Sequence, residues 1–74
     1  MKKHLWYVVF DYVFESSQGM QSYSIPHEKI EGYITTEVAS IDFLRDAITL
    51  ILSNQERLTQ IREAKWLGQL LNKN

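Results

Sequence analysis

Seventy-four residues with a formal net charge of −1 and a pI near 6.0 make one domain, too small to enclose a large core. Apolar residues at 45% and charged residues at 23% are globular proportions and exclude a disordered chain. With no cysteine there is neither a disulfide framework nor a thiolate metal site, and no stretch approaches the roughly 20 apolar residues of a membrane span. A domain of this size without staples relies on good helix packing or on oligomerisation.

The charge is unevenly placed. Residues 1–3 carry +2, and residues 47–74 carry +2 from Arg57, Arg62, Lys65 and Lys73 against Glu56 and Glu63. Between them, Asp11, Glu15, Glu28, Glu31, Glu37, Asp42 and Asp46 outweigh Lys29 and Arg45, giving −5. An acidic N-terminal half is a poor face for nucleic acid. The opening Met1-Lys2-Lys3 imitates the head of an export signal, but the apolar run from Leu5 to Phe10 is too short for one. A complete, cytoplasmic chain is expected.

The stretch His4 to Glu15 holds five of the nine aromatic residues, lacks Gly and Pro, and reads as a strand over about 4–15. Its alternation puts Trp6, Val8, Phe10, Tyr12 and Phe14 on a core face. Leu5, Tyr7, Val9, Asp11, Val13 and Glu15 fall on the other, which mixes apolar with acidic groups. Ser16-Ser17-Gln18-Gly19 reads as a four-residue hairpin loop leading to a second strand over about 20–34. That register sets Tyr12 against Tyr23, Phe10 against Ile25, Val8 against His27 and Asp11 against Ser24. Pro26 cannot donate to a ladder, so the second strand belongs at an edge and breaks near it, resuming at Lys29.

Ser40 is the expected N-cap of a helix over about 41–52, with Asp42 at the positive end of its dipole. Its apolar residues span an arc of about 200°, leaving only Asp42, Arg45, Asp46 and Thr49 as a polar stripe. A lone hairpin cannot cover such an arc. Ser53-Asn54-Gln55-Glu56 has the spacing of a capping box, and the helix formers behind it predict a second helix over about 54–71. There Leu58, Ile61, Ala64, Leu67 and Leu71 share one face, with Trp66 and Leu70 opposite. The competing reading makes Lys65 to Leu71 a third strand. The fold class is therefore α+β: an antiparallel β-hairpin, or three strands, packed against one or two α-helices. Phe10, Tyr12, Ile25, Leu44, Ile48 and Ile61 are its expected core.

Catalytic chemistry finds little support. His4 and His27 would stand about 14 Å apart in the proposed register, too far to share a metal ion. His27 points away from Asp11 and Ser24, which excludes a nucleophilic triad. Asp42 and Asp46 flank Arg45 on a solvated helix face, and the three glycines are scattered. A non-enzyme without cofactor, metal or small-molecule substrate is expected. What remains is an excess of apolar surface, so the expected function is protein–protein association, including self-association, with Tyr7, Val9, Asp11, Trp66 and Leu70 as partner-binding candidates. The alternative is a nucleic-acid-associated regulator using Arg57, Arg62 and Lys65, which share about 140° of the second helix. The low pI and the interleaved glutamates weigh against it.

Gly19 in its hairpin loop, Ile34-Thr35-Thr36 in the connector, and Asp42 with Leu44 and Ile48 in the helix resemble the pattern of small phage- and prophage-encoded β-β-α accessory proteins. Lys65-Trp66-Leu67 resembles their closing aromatic-bearing strand. The resemblance covers about two-thirds of the chain, and the longer connector and the capping box at Ser53 depart from it. It implies a mobile-element accessory protein that acts by binding a host factor, with no catalytic residue.

Overall fold

The computed structural model describes residues 2–71. Strand β1 (Lys2–Gln18) is followed by β2 (Gln21–Thr36), helix α1 (Ile41–Ile51) and β3 (Glu56–Leu71). The sheet order is β2-β1-β3, with β1 antiparallel to both neighbours. The strands are long, and at about 3.4 Å per residue their length accounts for a molecule extending 51 × 24 × 17 Å.

The N-terminal half follows the alternation in the sequence. Trp6, Val8 and Phe10 are buried beneath α1, whose Leu44 and Ile48 are completely enclosed. Tyr12, Ile34, Leu52, Leu58, Ile61 and Ala64 pack around this cluster. The Trp6 indole N–H donates to Thr36 Oγ1 at 2.9 Å, and the Thr36 hydroxyl donates to the carbonyl of Val38 at 2.8 Å. A buried indole needs such a partner, and here it also ties the end of β2 to the connector. Ser40 caps α1 as expected, its Oγ accepting from the Phe43 N–H at 3.2 Å.

The hairpin turns later than the serine cluster indicates. Gln18 pairs with Gln21, so the loop is Gly19-Met20 alone, with Gly19 at φ +63 as the first position of a two-residue loop of the II′ kind demands. The register therefore moves by four residues: Phe14 faces Ile25, and Tyr12 faces His27. As far as His27 this even shift keeps each side chain on its expected face, but past the Lys29 bulge the shift becomes five, which turns Ile30 and Ile34 to the helix-bearing face and Glu31 and Tyr33 to the other. The shift also carries Ile25 past the end of the helix, so this expected core residue is exposed.

A second helix does not form over 54–71; Asn54 and Gln55 lie in a turn and the rest is β3, which extends the competing strand reading back to Glu56. Half of the capping box does form. The Ser53 N–H donates to Glu56 Oε1 at 2.8 Å, while the Glu56 N–H returns to the Ser53 carbonyl at 3.0 Å. These bonds close a turn that reverses the chain directly into β3. The open edge of β1 then supplies a ladder that outweighs the helix propensity of residues 55–65. Pairing shifts after Leu58, Ile61 and Trp66 each insert one extra residue into β3, so Leu58, Ile61, Ala64 and Trp66 all meet the core-facing residues of β1.

No helix among the described residues is long and apolar enough to cross a membrane. Because Leu44 is wholly enclosed by the sheet, Leu44→Ala should cost about 2–5 kcal/mol. Urea unfolding followed by circular dichroism tests this, and a loss below about 1 kcal/mol would contradict the assigned core.

Candidate interaction surface

Helix α1 covers one face of the sheet, and no described element covers the other. Directly paired residues share a face, so the uncovered side can be read row by row from the register. Tyr33, Tyr7 and Lys65 form one row; Glu31, Val9 and Glu63 the next; Pro26, Val13 and Arg57 a third. An apolar stripe of Leu5, Tyr7, Val9 and Val13, each half-buried, therefore runs down the central strand between charged and polar flanks. Tyr7 and Tyr33 sit with ring centroids 5.7 Å apart, tilted by 56°. The Tyr7 hydroxyl donates to Glu31 Oε2, and this bond, with partial burial and the nearby carboxylates, pushes the phenol up to about 12.

Tyr7 and Val9 thus occupy the surface expected of them, and Tyr33 completes the aromatic pair. Tyr33 stands two residues from Glu31 on the same face, a spacing visible in the sequence, but only the observed register sets it beside Tyr7. Asp11 shares the face, yet it is only 8% exposed and committed inside the fold. Opposite it, β2 carries one extra residue, and Lys29 adopts φ +56 there. The bulge turns the Lys29 N–H onto Asp11 Oδ1 at 2.9 Å, and Arg62 Nε donates to the same oxygen at 2.7 Å. The Arg62 guanidinium, then the Lys29 amide, hold the Asp11 carboxyl below the ordinary value of 3.8.

The structure separates Trp66 from Leu70. Trp66 pairs with Trp6 on the helix-bearing face, half exposed, with its Nε1 donating to His4 Nδ1 at 3.1 Å. Leu70 pairs with Lys3 on the opposite face. The basic helical arc also dissolves, since its three members lie on a strand. Arg57 binds Glu15 at 2.7 Å, Arg62 binds Asp11 and approaches Glu28 at 4.0 Å, and Lys65 stands opposite Tyr7. Two of the three cations already have carboxylate partners.

The histidines take aromatic neighbours. His27 stacks on Tyr12 at 4.7 Å and 10°, and His4 lies 6.2 Å from Trp66. Among the described residues no three metal-ligating side chains come together. Both sheet edges resist pairing with another chain. Pro26 and the left-handed bulge at Lys29 interrupt β2, and three inserted residues interrupt β3. The faces, not the edges, are the surfaces open to a partner.

A carboxyl whose folded pKa lies below its unfolded value stabilises fully above the unfolded value, and that contribution vanishes as pH falls through the folded one. Stability should therefore drop as pH is lowered from about 4, and Asp11→Asn should flatten that part of the profile more than Glu15→Gln does. Thermal melts from pH 6 to 2 measure this; equal flattening by both variants would remove Asp11 from its central place. No protein-family model, curated protein or solved structure matches this chain.

Proposed function

We propose that this protein is a non-catalytic interaction module that associates with a second copy of itself through the uncovered face of its sheet. The observation that carries the reading is the stripe Leu5, Tyr7, Val9 and Val13 between charged flanks, the apolar-centre, polar-rim composition of a protein interface. Size supports it as well. Three strands about 4.8 Å apart along a 51 Å molecule present roughly 700 Å², close to the ~800 Å² per partner of a standard interface.

Charge favours a like partner. Lys65 and Glu63 stand two residues apart on this face, beside Glu31 across the sheet. A two-fold arrangement sets the Lys65 of each copy toward the acidic row of the other, which a uniformly charged surface could not do. On the resemblance to phage- and prophage-encoded accessory proteins, a host factor is the further partner that such a module would engage.

The test is the oligomeric state in solution. Light scattering and sedimentation equilibrium should show a dimer at high micromolar concentration. The double substitution Val9→Thr with Tyr33→Ser, which keeps strand propensity at the central position, should shift it toward monomer without changing the circular dichroism spectrum. A wild-type protein that stays monomeric at high micromolar concentration overturns the proposal, as does a variant that dimerises unchanged.

A further inference from the structure

A second uncovered apolar surface lies on the flank of α1, away from the sheet. Leu44 and Ile48 point inward, but the apolar arc of the helix is wider than the sheet can cover. Phe43 is half exposed and Leu50 is 85% exposed. With Ala47 they line one wall of an open groove of about 230 Å³, whose other side is formed by Thr35, Thr36 and Glu37 at the end of β2. Asp46 also lines it, and no basic residue does. The volume is below the roughly 300–1,000 Å³ of a small-molecule pocket, and it fits one or two aliphatic side chains better than an enclosed ligand.

The electrostatics select among occupants. Glu37 and Asp46 edge the groove, and Asp42 lies one turn before Asp46 on the same helix. The last turn of α1 carries no basic side chain to offset them. Arg45, the remaining charge on the helix, falls about 100° around the axis from Asp46 at the helical repeat. An apolar slot edged with carboxylates attracts an apolar anchor that carries cationic neighbours, and it repels an acidic one.

We propose that the groove between α1 and the end of β2 docks a short segment of another protein that presents leucine-like side chains next to lysine or arginine. The apolar anchor seats between Phe43, Ala47 and Leu50, and the cations meet Glu37 and Asp46. Its helical wall, Phe43, Ala47 and Leu50, lies across the sheet from the proposed self-association face, which it meets only at Thr35, the partner of Leu5, and docking here does not depend on self-association.

Three synthetic peptides of equal length test the proposal: one with leucines four residues apart among lysines, one with glutamates replacing the lysines, and one with serines replacing the leucines. Amide chemical shifts of the 15N-labelled full-length protein should move at Thr36, Phe43, Ala47 and Leu50 with the first peptide alone. Binding should weaken with salt, and Leu50→Ser, at a position too exposed to support the core, should weaken it by about tenfold or more. Asp46→Asn with Glu37→Gln should remove most of the salt dependence. The monomeric Val9→Thr, Tyr33→Ser variant should bind the first peptide as the wild type does, which separates failure here from failure of the dimer. Equal binding of the glutamate peptide, unchanged shifts at the groove, or concentration-dependent shifts at Leu50 without peptide, which would seat a second copy there, each overturn the proposal.

Discussion

One carboxylate organises the sheet. Asp11 lies in the middle of the central strand, where both flanking strands depart from regular pairing, and it binds each of them at its irregularity. On one side it accepts the N–H that the Lys29 bulge turns out of the ladder; on the other it accepts from Arg62, the residue inserted into β3. A bulge leaves one residue without a ladder partner and sharpens the local twist. Without a compensating acceptor, two such departures at the same level would leave polar groups unsatisfied beside an apolar stripe. The charge-assisted bonds to Asp11 answer both at once and fix where the twist is concentrated.

That constraint has consequences for packing. Strands of 16 and 17 residues are far longer than the usual five or six, and a single 11-residue helix cannot cover such a sheet. The helix is anchored over the part of β1 where Trp6, Val8 and Phe10 face Leu44 and Ile48, and the Trp6–Thr36–Val38 bonds hold its entry there. The distal end of the hairpin, with Tyr23 and Ile25, extends past this core and is exposed, as is most of the outer flank of α1. The small buried cluster and the large apolar exterior are two results of one geometry.

The sequence makes some of this legible and conceals the rest for definable reasons. The central strand, the Ser40 cap and the inward face of α1 follow from alternation, hydroxyl chemistry and helical spacing, and all are local. The hairpin register depends on whether four residues turn or two, and composition favoured the serine cluster over Gly19-Met20. The face assignments hold as far as His27, where the difference is even, and reverse beyond the Lys29 bulge, where it is odd. The last third was concealed by its own bulges. A regular strand repeats every two residues, but inserted residues stretch the spacing of Leu58, Ile61 and Ala64 to three, which a periodicity reading takes for a helical stripe. The capping-box spacing at Ser53 strengthened that reading, since a carboxylate reaching back to an N–H three residues earlier closes a turn as readily as it opens a helix. The place of Tyr7 and Val9 on the uncovered face follows from alternation alone, whereas the role of Asp11 depends on bulges that only pairing reveals.

The arrangement of open and closed surfaces bears on how such a protein would work. A three-stranded sheet has two edges, each a template for runaway pairing. Here Pro26 and the Lys29 bulge interrupt one and inserted residues interrupt the other, so the proposed association falls to the faces, where shape and charge would limit it. The proposed pairing through the uncovered sheet face would bury that face in a closed, two-fold assembly and leave α1 on the outer side of each copy. The two helix-flank grooves would then point outward from a common body, so such a dimer would hold two segments of a partner. Two weak contacts held at a fixed separation bind a repeated or dimeric partner far more tightly than either contact alone, and release it when the dimer separates. The uncovered sheet face and the uncovered helix flank are, on this reading, the inner and outer surfaces of one device.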